Sequence, residues 1–226
     1  MIHQLFPTTI YSAQLESDDD TWHAMFAYVE QFRLKTQQSE TMDSNLFTGD
    51  IYSDYVIHQK EQFQWLNGQI GRHMRLYLEE LGVNTAQLDI YAQKSWPTVC
   101  NKENGMVEEH THDNAHFSCV YYLSVDEDNY SGNLYLRNPN TLNVNKLPVP
   151  LKKANSSNDT HHQIIPKNDL LVIFPAYLPH YVSVYNGDDY RYSISYDISV
   201  TARPDTDKNE HLVSHLSQWV ALEDAG

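Results

Sequence analysis

The residues able to do chemistry concentrate in two stretches. Glu108-Glu109-His110-Thr111-His112-Asp113 is answered about seventy residues later by Phe174-Pro175-Ala176-Tyr177-Leu178-Pro179-His180, and then by Arg191-Tyr192-Ser193. A strand turns residues i and i+2 to one face, so His110 and His112 point together and His180 completes a facial metal site. That donor set points to iron. The His-x-His pair precedes a strongly β-type run and His180 follows a Pro-x-x-x-Pro turn, which favours ligands over scattered surface imidazoles.

Asp113 leaves the third ligand open. Oxygenase sites commonly combine two histidines with one carboxylate, and Asp113 at i+3 faces away from His110 in a regular strand. Two arrangements stand: three histidines, or a bulge or strand end that turns Asp113 inward in place of one of them. Glu108 shares the histidine face and is a candidate acceptor for a bond from a ligating imidazole. Arg191 and Ser193 share one face of a later strand, with Tyr192, Ile194 and Tyr196 on the other. A planar guanidinium beside a hydroxyl suits a carboxylate gripped by two parallel bonds; the plainer reading is a surface pair with Asp188 or Asp189.

The elements that position these residues follow from periodicity. Leu5 to Tyr11 reads as an edge strand, with Pro7 tolerated there. Ser17-Asp18-Asp19-Asp20 caps a helix beginning near Thr21, with Trp22, Met25, Phe26, Val29 and Phe32 on one stripe. Phe63, Leu66, Ile70, Met74, Leu76, Tyr77 and Leu81 mark a second helix that ends at Gly82. Both are expected to pack on a sheet. From Ala86 short β-type runs follow, clearest at 88–96, 116–125, 132–136, 170–174 and 190–200, which favours a sandwich or barrel. The polar segment 138–168 reads as a loop or flap carrying His161 and His162. His211 to Val220 reads as a short amphipathic helix whose His211 and His215 lack the glutamate of a zinc-protease motif.

Composition narrows the function classes. A chain of 226 residues suits one domain: supporting elements at 1–85, a β core at 86–200 and a carboxy-terminal helix at 201–226. The formal net charge of −15 is opposite to what binding a phosphate backbone requires, so nucleic acid is not an expected partner. Two cysteines, Cys100 and Cys119, are too few for a disulfide scaffold, and the amino terminus lacks the features of a secretory signal. No apolar run approaches the ~20 residues that span a bilayer. The expectation is a soluble, cytoplasmic protein in a reducing compartment, with no membrane partner.

At this point a resemblance covers nearly the whole chain in order. The matching pieces are Leu5 to Tyr11, Ser95-Trp96, His110-Thr111-His112, Phe117 to Leu123, Gly132 to Leu136, Leu171 to His180 and Arg191 to Ser195. Together these resemble a family of 2-oxoglutarate- and Fe(II)-dependent oxygenases related to the prolyl-4-hydroxylase-like group of marine bacteria and phages. The resemblance implies a mainly β fold, a double-stranded β-helix (jelly-roll, cupin-like barrel) with the amino-terminal helices packed on one sheet. It implies that His110 and His180 ligate iron and that His112 takes the place usually held by an aspartate. Arg191 with Ser193 then holds the distal carboxylate of 2-oxoglutarate, and one of Tyr121 and Tyr122 reaches the same cosubstrate. The implied reaction consumes O2 and 2-oxoglutarate, releases succinate and carbon dioxide, and hydroxylates an unactivated C–H bond of a peptide, amino acid or small metabolite. Family members often carry proline where this chain has Asp113.

Two other readings compete. A cupin-type dioxygenase or isomerase would use three histidines without 2-oxoglutarate and would not need Arg191. A barrel that has lost catalysis and binds sugars or peptides would need neither the histidines nor the arginine.

Overall fold

The computed structural model describes residues 7–38, 45–51, 53–139, 152–153, 159–206 and 213–222. Helix α1, Asp19–Gln37, begins where the Asp18 carboxylate accepts a bond from the Thr21 amide at 2.8 Å, so the acidic run caps it as its sequence predicts. Met25, Val29 and Phe32 are its buried stripe. Helix α2, Gln64–Glu80, follows a 3-10 turn at Glu61–Phe63 and buries Leu66, Ile70, Met74 and Tyr77. It stops before Gly82, whose φ of +79° is the left-handed turn that glycine tolerates. Leu76 and Leu81, expected on the stripe, are exposed.

Among the described residues ten strands build two antiparallel sheets: β1 (Tyr11–Gln14), β2 (Leu46–Thr48), β3 (Leu88–Cys100), β4 (Gly105–His110), β5 (Phe117–Ser124), β6 (Leu134–Arg137), β7 (His161–Ile164), β8 (Leu170–Pro175), β9 (His180–Tyr185) and β10 (Arg191–Ala202). The six-stranded sheet runs β1-β8-β5-β10-β3-β2 and the four-stranded sheet β4-β9-β6-β7. This is the double-stranded β-helix layout. Alternation along β5 divides the core: Cys119, Tyr121 and Leu123 join the cluster under the helices, whereas Tyr122 joins Leu134, Leu136, Val172, Phe174 and Leu178 between the sheets. The helices therefore back the larger sheet on the face opposite the site.

Several elements differ from expectation. The first strand lies at Tyr11–Gln14; Pro7 to Ile10 is irregular, and Leu5 and Phe6 fall outside the described residues. The polar segment contains strand β7, so His161 and His162 sit on a ladder with Arg137 and Leu136. Period-2 alternation of apolar residues is absent from His161-His162-Gln163-Ile164, so nothing in that run announces a strand. The expected carboxy-terminal helix is reduced, among the described residues, to one 3-10 turn at Leu216–Gln218. His215 instead accepts or donates a 2.6 Å bond with the Tyr91 hydroxyl, anchoring the segment; His211 lies outside the described residues. Among the described residues no helix is long and apolar enough to cross a membrane.

Candidate active site

His110 ends β4 and stands opposite His180, the first residue of β9, so one cross-strand pair brings two imidazoles together. His112 lies just past the end of β4 rather than on it. Its backbone amide donates to the Ala176 carbonyl at 3.0 Å, and its ring packs against Trp96 with centroids 5.7 Å apart. Ring centroids of the three histidines are 4.3 to 5.1 Å apart, and one ligand atom from each lies within 4.8 Å of the others.

The hydrogen bonds behind these rings decide which nitrogen is available. His110 Nδ1 lies 2.7 Å from the Glu108 carbonyl, His180 Nδ1 2.9 Å from the Leu178 carbonyl, and His112 Nδ1 2.5 Å from Asp197 Oδ1. Carbonyl and carboxylate oxygens only accept, so each Nδ1 carries a proton and Nε2 is the nitrogen that a neutral ring offers to a metal. That is the tautomer a metal requires. Burial, reinforced by the neighbouring imidazoles, pulls His180 down to about 3, and burial likewise lowers His110. Both rings are thereby kept neutral and able to ligate.

Asp113 is exposed, and its recorded partner is the Thr111 hydroxyl at 3.4 Å; it is not part of the cluster. The end of β4 turns His112 inward and leaves the next residue pointing out. Glu108 contributes its backbone carbonyl, not the carboxylate that was expected to accept. The carboxylate that does accept, Asp197, is only 1% exposed and was not singled out from the sequence. It comes from β10, far along the chain, in a run of β-type residues with no motif to mark it.

Beneath the histidines the space between the sheets forms a cavity of about 500 Å3. Its lining includes Arg191 and Ser193 from β10, Tyr122 and Ser118 from β5, Thr98 from β3 and Phe174 from β8. Arg191 is 2% exposed, and its guanidinium lies 4.9 Å over the Tyr122 ring. Its Nη1 reaches the Ser193 hydroxyl at 3.5 Å and the Cys100 thiol at 3.8 Å, while Nε has no partner. Neither Asp188 nor Asp189 pairs with it, and among the described residues no carboxylate is within ion-pair distance. The Tyr122 hydroxyl and the Ser118 hydroxyl are also buried without partners. Burial pushes the Tyr122 phenol up, which keeps it a donor. A buried cation and two hydroxyls without partners are costly unless an acceptor occupies the space between them.

Tyr121, the other candidate, faces the helices: its hydroxyl donates to Asp169 and its ring meets Trp65. Adjacent strand residues take opposite faces, so only Tyr122 enters the cavity. His116 precedes β5 and accepts a bond from the Val200 amide at 3.0 Å, a structural role.

Three converging imidazoles beside a buried guanidinium with no carboxylate partner form a donor set suited to a divalent metal and a dicarboxylate. Residues 94–197 match the family described as "Putative 2OG-Fe(II) oxygenase". The matched segment holds all three histidines and Arg191.

Among solved structures the chain is similar to a prolyl-4-hydroxylase of Pseudomonas putida, at 12% identity and a TM-score of 0.54 over 85% of this chain and 92% of that one. It is similar to EctD of S. alaskensis with 2-oxoglutarate and 5-hydroxyectoine, at 9% identity and 0.57 over 85% and 72%. A Trichoplax adhaerens prolyl hydroxylase in complex with a hypoxia inducible factor peptide is similar at 14% identity and 0.52, over 83% of each chain. One further oxygenase-family structure is covered over 56% of its own length. At these identities the likeness is one of fold. No curated protein matches the sequence.

Proposed function

We propose that this chain is a cytoplasmic Fe(II)- and 2-oxoglutarate-dependent hydroxylase in which His110, His112 and His180 hold the metal. Arg191, Ser193 and Tyr122 grip the distal carboxylate of 2-oxoglutarate. The observation that carries this reading is Arg191: a guanidinium 2% exposed, with Nε unpartnered, in the same cavity as three imidazoles whose free nitrogens converge. A three-histidine cupin working without 2-oxoglutarate gives that buried cation no task.

The bound iron and 2-oxoglutarate supply the oxidising chemistry, in which O2 and 2-oxoglutarate give succinate and carbon dioxide while a substrate C–H becomes C–OH. The protein's residues bind, orient and shield. The Arg191 guanidinium and the Tyr122 and Ser193 hydroxyls orient the cosubstrate, and Phe174, Leu134 and Val182 keep water from its stem. Trp96, Asp50 and Ile51 line the same cavity and are available to the substrate. We assign as substrate a peptide or amino acid, or a small metabolite, consistent with a prolyl-4-hydroxylase and a protein holding 2-oxoglutarate and 5-hydroxyectoine sharing the fold. Two free, buried cysteines suit a reducing cytoplasm.

The test is the weak visible charge-transfer band of ferrous protein with 2-oxoglutarate, together with slow succinate formation without substrate. Charge-assisted bonds contribute about 1.5–3 kcal/mol, so Arg191→Ala is expected to raise the 2-oxoglutarate needed for half-saturation roughly 10- to 100-fold. An unchanged band and turnover in Arg191→Ala would transfer the assignment to the cupin.

A further inference from the structure

The three histidines are not supported alike. Two donate their Nδ1 protons to backbone carbonyls, and only His112 donates to a carboxylate. Asp197 is 1% exposed and both its oxygens are engaged: Oδ1 with His112 Nδ1 at 2.5 Å and Oδ2 with Asn114 Nδ2 at 2.9 Å. Asn114 in turn donates to Gln93 Oε1 at 2.9 Å. The backbone is shaped for this chain of bonds. Opposite Asp197 the β10–β3 ladder slips: Asp197 pairs with Lys94 and Ile198 with Ala92, leaving Gln93 as the extra residue of a bulge. Bulges re-aim side chains beside active sites. Trp96, packed on the face of the His112 ring, holds the imidazole in the plane that meets Asp197.

We propose that Asp197 is a positioning residue that gives His112 the character of an anionic ligand, returning to the metal, one hydrogen bond removed, the charge that an all-imidazole set lacks. Non-haem iron oxygenation commonly uses two histidines and one carboxylate, so a neutral three-histidine set holds the cation less firmly and leaves it more oxidising. A carboxylate accepting the far proton of one imidazole raises that imidazole's basicity toward the metal and fixes its tautomer. Asp197 thus acts on the cation without touching it. The inference rests on the three-histidine reading of the site.

The experiment titrates the metal-free full-length chain with Co(II) alone and follows its visible ligand-field absorption, in wild type, Asp197→Asn and His180→Ala. Asp197→Asn keeps an acceptor for His112 and removes the carboxylate. Removing such a partner typically lowers metal affinity by roughly 10- to 100-fold, and that loss, with a displaced band, is the expected result. His180→Ala is expected to lose the band. Wild-type affinity and band position in Asp197→Asn, with His180→Ala metal-free, would overturn the role of Asp197 and leave the site reading standing. Wild-type binding by His180→Ala would overturn the site reading and this inference with it. Should circular dichroism show Asp197→Asn unfolded, imidazole 15N NMR of the metal-free wild type decides. A far-downfield proton on His112 Nδ1 supports the proposal, and a His112 tautomer protonated on Nε2 overturns it.

Discussion

His180 shows how a single residue couples burial, protonation and stability. Its imidazole is 5% exposed and is pulled from 6.5 down to about 3 by burial first and by His110 second. Between pH 6.5 and 3 the unfolded chain binds a proton at this position that the folded chain refuses. Stability of the metal-free protein is therefore complete above pH 6.5 and falls as pH drops through that window. One proton of difference corresponds to about 1.4 kcal/mol per pH unit, and His110, lowered for the same reason, adds in the same direction. Urea midpoints of the metal-free protein at pH 7 and pH 5 are expected to diverge less in His180→Asn than in wild type. Equal divergence in the two would mean that His180 is not the proton-refusing group.

At the scale of elements, support and chemistry are on opposite faces of one sheet. Leu66 of α2 is fully buried under the larger sheet, among Tyr121 and its neighbours and away from the cavity. Leu66→Ala is expected to cost about 2–5 kcal/mol of stability while leaving the half-saturating concentration of 2-oxoglutarate unchanged below the new melting range. A matching loss of cosubstrate affinity would show that the helices do more than support. The same division explains what the residues announced in advance. Helices α1 and α2 were legible because burial on one face imposes a regular apolar spacing, and strands β5, β8 and β10 because burial on both faces makes short, nearly continuous apolar and aromatic runs. Strand β7 was not, and His112, expected beside His110 on a strand face, reaches it from just past the end of β4. The pairing of β7 comes from β6, and the aim of His112 comes from the Ala176 carbonyl and Asp197, partners distant in the chain. Asp113 stood as an alternative third ligand because oxygenase sites commonly include a carboxylate; past the strand end it is exposed and lies outside the histidine cluster. Asp197 went unread because a carboxylate in a strand has no signature until its partner is placed.

For the molecule as a whole, the two ends of the cavity belong to different sheets: the histidines at 110 and 180 to the smaller, Arg191 and Tyr122 to the larger. A cosubstrate that meets both binds only the folded chain. At a hundredfold excess over its dissociation constant a ligand adds about 2.7 kcal/mol, and for a chain of this size that raises the melting temperature by roughly 5–10 °C. Thermal melts with Mn(II) and 2-oxoglutarate together are expected to show that rise, and 2-oxoglutarate alone a smaller one. Equal shifts with and without metal would separate the two ends and argue against a chelate spanning them. The acidic surface, with its net charge of −15, keeps such molecules apart in solution and favours encounter with cationic partners over anionic ones.

The cross-strand pair His110–His180 has one more consequence. Strand β4 is the edge of the smaller sheet, and its ladder to β9 is broken twice, between Gly105 and Val107 and between Val107 and His110. Such an edge is poorly fastened by its own backbone. On the proposed reading, a cation held by both His110 and His180 bridges that last rung and adds a fastening that the broken backbone ladder lacks.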